Sequence, residues 1–145
     1  MTKITINIEE PVWKKEMPLF RKNILNATKE TLNTINTVKQ KNLEVSFLLT
    51  SDSNIRLLNK NYRNKDKSTN VLAFPMNQEI SRGNIIIGDI AISLQKILNE
   101  SKKFKIQKYQ YLSKITIHGV LHLLGFDHKS NKQYAEMDKV EKKNI

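Results

Sequence analysis

The sequence predicts an α+β domain, with about four strands in a mixed sheet packed with helices. Three observations predict it. Apolar and polar residues alternate through Ile4, Ile6 and Ile8, and again through Leu43, Val45, Phe47 and Leu49, as half-buried strands require. Two further apolar runs, residues 70–75 and 85–92, flank the turn string Ser81-Arg82-Gly83-Asn84, which reads as a hairpin and brings antiparallel pairing into the sheet. Elsewhere apolar positions return every three or four residues, the helix period. The 145 residues hold no internal repeat and no low-complexity linker, so one domain over residues 1–145 is expected.

The elements follow in order. Pro11 ends the first strand. From Pro18 to about Thr37, the spacing of Phe20, Ile24, Ala27, Leu32 and Ile35 predicts an amphipathic helix. After the second strand, Ser51-Asp52-Ser53 offers capping oxygens to a helix through about Tyr62, with Ile55, Leu58 and Tyr62 inward. Residues 63–69 are a polar loop, and residues 70–75 a short strand that Pro75 should stop. Gly88 within residues 85–92 signals a bulge or a close backbone approach. A helix follows Ser93 and breaks near Ser101-Lys102-Lys103. A second begins near Ile106 and runs to about Leu124. The tail reads as a last short helix with Tyr134, Met137 and Val140 inward.

Composition narrows the function classes. The formal charge is +11, which favours a polyanionic partner, nucleic acid before membrane surface. Lys, Asn and Ile make up 54 of the 145 residues and all use A/T-rich codons, so base composition explains part of the lysine excess. An arginine within a motif, one of only four in the chain, therefore weighs more than a lysine. Without cysteine there is no disulfide framework and no thiolate metal ligand. The N-terminus has no apolar signal core, and no run approaches 18 apolar residues, so a cytoplasmic protein without a membrane partner is expected, as a monomer.

All three histidines lie within HGVLHLLGFDH, residues 118–128. His118 and His122, four apart on a helix, project from one face. Gly125 can take the left-handed conformation that ends a helix, which lets His128 turn back toward the other two. Three imidazoles and an open fourth position suit a catalytic zinc, one per chain, although nickel, copper and iron also bind imidazole. Asp127 is an acceptor for an imidazole N–H, a weak extra ligand, or a turn residue. The spacing resembles the metzincin protease string H-E-x-x-H-x-x-G-x-x-H, with Gly119 where the protease has its general-base glutamate. Gly119 disfavours peptide hydrolysis and, inside a helix, suggests close packing against the backbone.

In the stretch Tyr62-Arg63-Asn64-Lys65-Asp66-Lys67, the bases at 63, 65 and 67 can hold a phosphate, or can simply be a solvated loop. Taken together, YRNKDKSTNVLAFP (62–75), GDIAIS (88–93) and HGVLHLLGFDH resemble the YbeY family of bacterial metal-dependent endoribonucleases, over roughly residues 43–140. The resemblance implies an α+β fold and a zinc held by His118, His122 and His128. It places the family's functional arginine at Arg63, and the basic loop beside it offers Lys65 and Lys67 as further RNA contacts. It also implies cleavage of single-stranded RNA in maturation of the small-subunit ribosomal RNA 3′ end and in ribosome quality control, and partners on the small ribosomal subunit, including a ribosome-associated GTPase or a ribosomal protein. The chain departs from the usual P-T-D-V-L-S-F-P loop at Ser68, Asn70 and Ala73, and has Phe126 where tyrosine is commoner. For the chemistry, Arg63 is expected to donate to the phosphate. Asp127, Asp89 and a water are the candidate bases. Two alternatives stand beside this reading: a non-catalytic ribosome assembly factor with a structural zinc, and a metzincin-like metallohydrolase of peptides.

Overall fold

The computed structural model describes residues 2–35 and 42–126. Four strands, β1 (Thr2–Ile8), β2 (Asn42–Thr50), β3 (Val71–Ser81) and β4 (Asn84–Ser93), form one sheet in the order β1-β2-β4-β3. β1 and β4 run parallel to β2, and β3 runs antiparallel to β4, so the sheet is mixed as expected. The helices are α1 (Val12–Glu16), α2 (Phe20–Thr34), α3 (Asp52–Arg63), α4 (Leu94–Lys103) and α5 (Lys108–Leu123). The helix expected in the tail lies outside the described residues. No helix among the described residues is long and apolar enough to cross a membrane.

Strand alternation sorts side chains between two unequal faces. Val45, Phe47, Leu49, Ile90 and Ile92 point into the main core and meet Phe20 and Ile24 of α2 and Leu112, Val120 and Leu123 of α5. The opposite face carries a smaller cluster, where Ile55 of α3 packs on Leu72 and Ala91. α2 and α5 are also tied by polar contacts: Asn23 Nδ2 donates to Ser113 Oγ at 2.7 Å and to the Tyr109 carbonyl at 3.1 Å.

Side-chain caps set the starts of α3 and α4, the first of them expected from the sequence. Ser51 Oγ accepts from the Asn54 N–H, and Ser93 Oγ caps α4 through the Lys96 N–H. Gly88 sits at φ +143 beside a register shift between β2 and β4, and a Cβ there would fall 2.3 Å from the Phe74 carbonyl oxygen. The glycine thus supplies both the bulge and the close approach.

Three features differ from expectation, and each has a long-range cause. The short helix α1 was not expected; Trp13 anchors it, fully buried, its Nε1 donating to the Thr50 carbonyl at 3.0 Å. Pro75 does not stop β3, which continues to Ser81 with a register shift between Pro75 and Gln78. β3 is an edge strand, where a missing N–H can face outward without breaking the ladder. Tyr62, expected inward, is 71% exposed at the last turn of α3, while Ile55 is fully buried and Leu58 half-buried. The twelve-residue α3 lies over only part of the face beneath it.

Candidate active site

The site is built where α5 crosses the edge of the sheet. α5 passes close to β3 and β4 because residue 119 has no side chain: a Cβ on Gly119 would stand 3.0 Å from Ile90 Cγ2 and 3.3 Å from Val71 Cγ2. The glycine therefore serves packing between helix and sheet. A side chain at 119, such as the glutamate found in metzincins, would press on Ile90 and Val71.

His118 and His122 project from α5 as the spacing of four requires. Their rings are 4.4 Å apart between centroids at 70°, and their Nε2 atoms face each other at 2.8 Å. That separation permits a hydrogen bond in which one ring donates and the other accepts, according to tautomer. It also suits two ligands of one ion: nitrogens bound tetrahedrally to zinc at 2.0–2.1 Å stand about 3.3 Å apart, a small opening of the observed pair. The donor chemistry fits a borderline metal with no thiolate available. Among the described residues no group of three His, Cys, Asp or Glu side chains comes together. His128, the third expected ligand, and Asp127 lie outside the described residues.

The end of α5 is held firmly. The Gly125 N–H donates to the His122 carbonyl at 3.1 Å and the Phe126 N–H to the Leu121 carbonyl at 3.0 Å, the two bonds of a Schellman ending, with Gly125 at φ +91. Phe126 packs on Leu121, the apolar contact that accompanies such an ending, and this is a role in which a tyrosine hydroxyl has no part. From β3, Asn77 in the left-handed region donates its Nδ2 to the Leu123 carbonyl at 3.2 Å. The chain is thus turned sharply one residue after the helix ends, as the sequence predicted.

A cleft of about 430 Å³ opens beside the two imidazoles, lined by Arg63, Asn70, Ala73 and Lys114 together with His118 and His122. Arg63, the last residue of α3, reaches the cleft from across the edge of β3, its Nη2 donating to the Ala73 carbonyl at 2.8 Å. This single bond leaves most of its guanidinium donors available to an anion. Lys65 and Lys67 are exposed in the loop after Arg63 and are not among the residues that line the cleft. The loop is braced by Asn59 Nδ2 donating to the Lys67 carbonyl at 2.9 Å and by an Arg56–Asp66 ion pair at 2.8 Å. The hydrogen bond from Arg56 holds the exposed Asp66 carboxyl below its ordinary range.

Sequence reasoning missed two contributors. Lys114 lines the cleft one turn before His118, and the series 114, 118, 122 at steps of four was the available signal. Glu100 accepts at the same oxygen from Asn70 Nδ2 at 3.0 Å and from the Tyr111 hydroxyl at 2.7 Å. Burial, and then the Glu100 carboxylate, push the Tyr111 phenol well above its usual ionisation range. These partners come from α4, α5 and the loop before β3, so no local pattern joined them. Asp89, a candidate base in the sequence, points away from the histidines. Its neighbour Ile90 faces α5, and Asp89 sits on the opposite side of the sheet beside Ser46 and Phe74.

Comparison with known proteins agrees with this architecture. A family model described as "Endoribonuclease YbeY" matches residues 7–145. Among curated relatives, the protein named endoribonuclease YbeY from Bartonella quintana is 33% identical over 98% of this chain and 90% of its own length. The protein of the same name from Neorickettsia sennetsu is 37% identical over 95% of this chain and 92% of its own. The solution structure of TM1509 from Thermotoga maritima superposes with a TM-score of 0.59 at 26% identity, covering 99% of this chain and 86% of the other. By family match, by relatedness along nearly its whole length and by fold, this chain belongs to the YbeY endoribonuclease family.

Proposed function

We propose that this protein is a metal-dependent endoribonuclease that cuts single-stranded RNA, with His118, His122 and His128 holding one zinc ion and Arg63 binding the scissile phosphate. The observation that carries this reading is the convergence of Arg63, His118 and His122 on one cleft from separate elements. Family membership supports RNA as the substrate class, since the relatives are named endoribonucleases. Bound zinc would supply Lewis-acid polarisation and a lowered water pKa. The chain supplies the rest. Arg63, fixed by one bond to the Ala73 carbonyl, presents its remaining donors to phosphate oxygens as charge develops on them. Lys114 of α5 adds a second cation to the lining of the cleft. The Schellman turn at Gly125 and the Asn77 clamp fix the direction in which the chain leaves α5 toward the third ligand.

The cleft stands at a rim of the sheet rather than in an enclosed cavity, which suits a flexible single strand. We further propose that the substrate is ribosomal RNA, that the cleavage matures the 3′ end of the small-subunit RNA and serves ribosome quality control, and that a ribosome-associated GTPase or a ribosomal protein helps deliver the enzyme, acting in the cytoplasm. Gly119 speaks against the peptide hydrolase alternative, because it supplies no protease-type carboxylate and its place is tightly packed against Ile90 and Val71.

The test is cleavage of single-stranded and duplex RNA by the zinc-loaded protein, with a chelator and a casein control. RNA cleavage that stops with chelator is expected, and casein should stay intact. Arg63→Ala should lower cleavage by about 10²–10³-fold, the effect of removing one donor to a developing oxyanion, with metal content and melting temperature unchanged. His122→Ala should lose the metal, as measured by mass spectrometry. Undiminished cleavage by Arg63→Ala, or a full equivalent of metal in His122→Ala, would overturn the assignment.

A further inference from the structure

The second face of the sheet carries a groove that the proposed chemistry does not use. In-register neighbours run across it in a row, from Thr5 of β1 through Ser46 of β2 and Asp89 of β4 to Phe74 of β3. α3 covers the adjoining row at Leu72 and Ala91 and leaves this one open. The resulting hollow is about 610 Å³, with Leu48, Leu58, Tyr62 and Phe74 as apolar lining and Asn7, Ser46 and Asp89 as polar points. Tyr62 stands 71% exposed, its ring edge-on to Phe74 at 5.7 Å between centroids and 71° between planes. A core position would have buried it.

We propose that this groove is a nucleobase subsite, selective for guanine, that seats a nucleotide neighbouring the phosphate held by Arg63; the proposal rests on the reading of RNA as substrate. Continuity with the cleft is the first argument. Tyr62 precedes Arg63 in α3, Phe74 follows Ala73 in β3, and Arg63 Nη2 is bonded to the Ala73 carbonyl at 2.8 Å. The two hollows are therefore separated by one edge strand, with the arginine crossing between them. A strand whose phosphate meets Arg63 can place an adjacent base against the aromatic pair. The ring chemistry is the second argument. Exposed aromatic faces stack bases of any sequence and form the working surface of single-strand binders.

The carboxylate is the third argument, and it supplies the selectivity. In a chain of formal charge +11, an exposed acid beside a phosphate path weakens backbone binding. It gains if it accepts hydrogen bonds from a base edge. Guanine alone among the four RNA bases offers adjacent ring N–H and amino donors, which match the two oxygens of a carboxylate. Cytosine and adenine each offer one amino group beside an unprotonated ring nitrogen, and uracil a single ring N–H, so none of them matches both oxygens.

Short single-stranded oligonucleotides, either all uridine or with one central guanosine, discriminate. Affinity is read by fluorescence anisotropy with chelator present, so that binding is measured without cleavage. The wild-type protein should bind the guanosine oligonucleotide about tenfold more tightly. Asp89→Asn should remove that preference while leaving affinity for the uridine strand unchanged or higher. Tyr62→Ala should weaken both by about tenfold, the effect of losing one stacked base. Both residues are exposed, and unchanged melting temperatures would exclude a folding defect. A wild-type protein without base preference, or a preference that survives Asp89→Asn, overturns the proposal. So does a pair of variants that bind oligonucleotides normally but no longer associate with purified small ribosomal subunits, since that would make the groove a protein-docking surface. If the protein cleaves RNA while the variants match wild type, the subsite falls and the endoribonuclease reading stands. If wild type neither binds nor cleaves any RNA, both fall.

Discussion

Asn70 shows how a single departure from a family's usual residue is absorbed by its surroundings. An aspartate at this position would bring a second carboxylate against Glu100. The asparagine instead donates its Nδ2 to Glu100 Oε1, which also accepts from Tyr111. Removing the charge at 70 therefore removes a repulsion and adds a donor, and the wall of the cleft beside Arg63 stays ordered. The Tyr111 hydroxyl is the other support of that carboxylate. Tyr111→Phe should destabilise the fold by about 1.5–3 kcal/mol, the range for a hydrogen bond to a charged group. The effect has a direction in pH. The folded protein holds the phenol protonated above its ordinary range, so this residue's contribution is complete below about pH 10 and is lost as pH rises further. Many lysines titrate in the same window, so the difference between variant and wild type is the informative quantity. Urea denaturation at pH 8 and at pH 10.5–11 should show the gap between the two proteins narrowing at the higher pH. A gap that widens would show that the Tyr111–Glu100 bond does not stabilise the neutral phenol.

At the scale of elements, α5 was the most legible part of the chain and β3 the least. Helical period alone puts His118 and His122 on one face, and Gly125 alone marks the turn, because both facts depend on residues within eight positions of one another. Ser51 announced its helix for the same local reason. The continuation of β3 through Pro75 was hidden, because proline is tolerated only at an edge and the edge is decided by strand order. The exposure of Tyr62 was hidden likewise: helical phase points it toward the sheet, yet the sheet surface at that end is open. Gly119 was read correctly as a close approach, but its neighbours, Ile90 and Val71, could come only from the fold. That contact makes a direct prediction about the resemblance to metzincins. Gly119→Glu completes the protease string, yet it should yield no peptidase. The new Cβ would begin 3.0 Å from Ile90 Cγ2, tighter than ordinary contact. Overpacking of this kind costs about 1–3 kcal/mol, and a carboxylate at the helix–sheet contact adds to it. A lower midpoint in urea with no cleavage of casein is expected. Casein cleavage by this variant would mean that α5 can move off the sheet.

For the molecule as a whole, the charge of +11 favours RNA binding, and the described residues show which of those charges stand at the cleft. Among the described residues two cations, Arg63 and Lys114, line it, and Lys65 and Lys67 are exposed in the loop that follows Arg63. If these four each neutralise one phosphate, binding to single strands should fall with salt at a log–log slope of about −3, from about −0.7 per contact. Between 50 and 200 mM salt the affinity would then drop by about fiftyfold. Removing Lys65 and Lys67 together should flatten the slope by about 1.4, and removing Lys114 alone by about 0.7. The two outcomes separate a local site from a diffuse one. A slope near −3 that shrinks by these steps places RNA along a single path from loop to cleft. A slope twice as steep, indifferent to these three substitutions, would mean that RNA spreads over the general lysine surface. Arg63 would then select a phosphate only after binding, and the loop would have no special part in recognition.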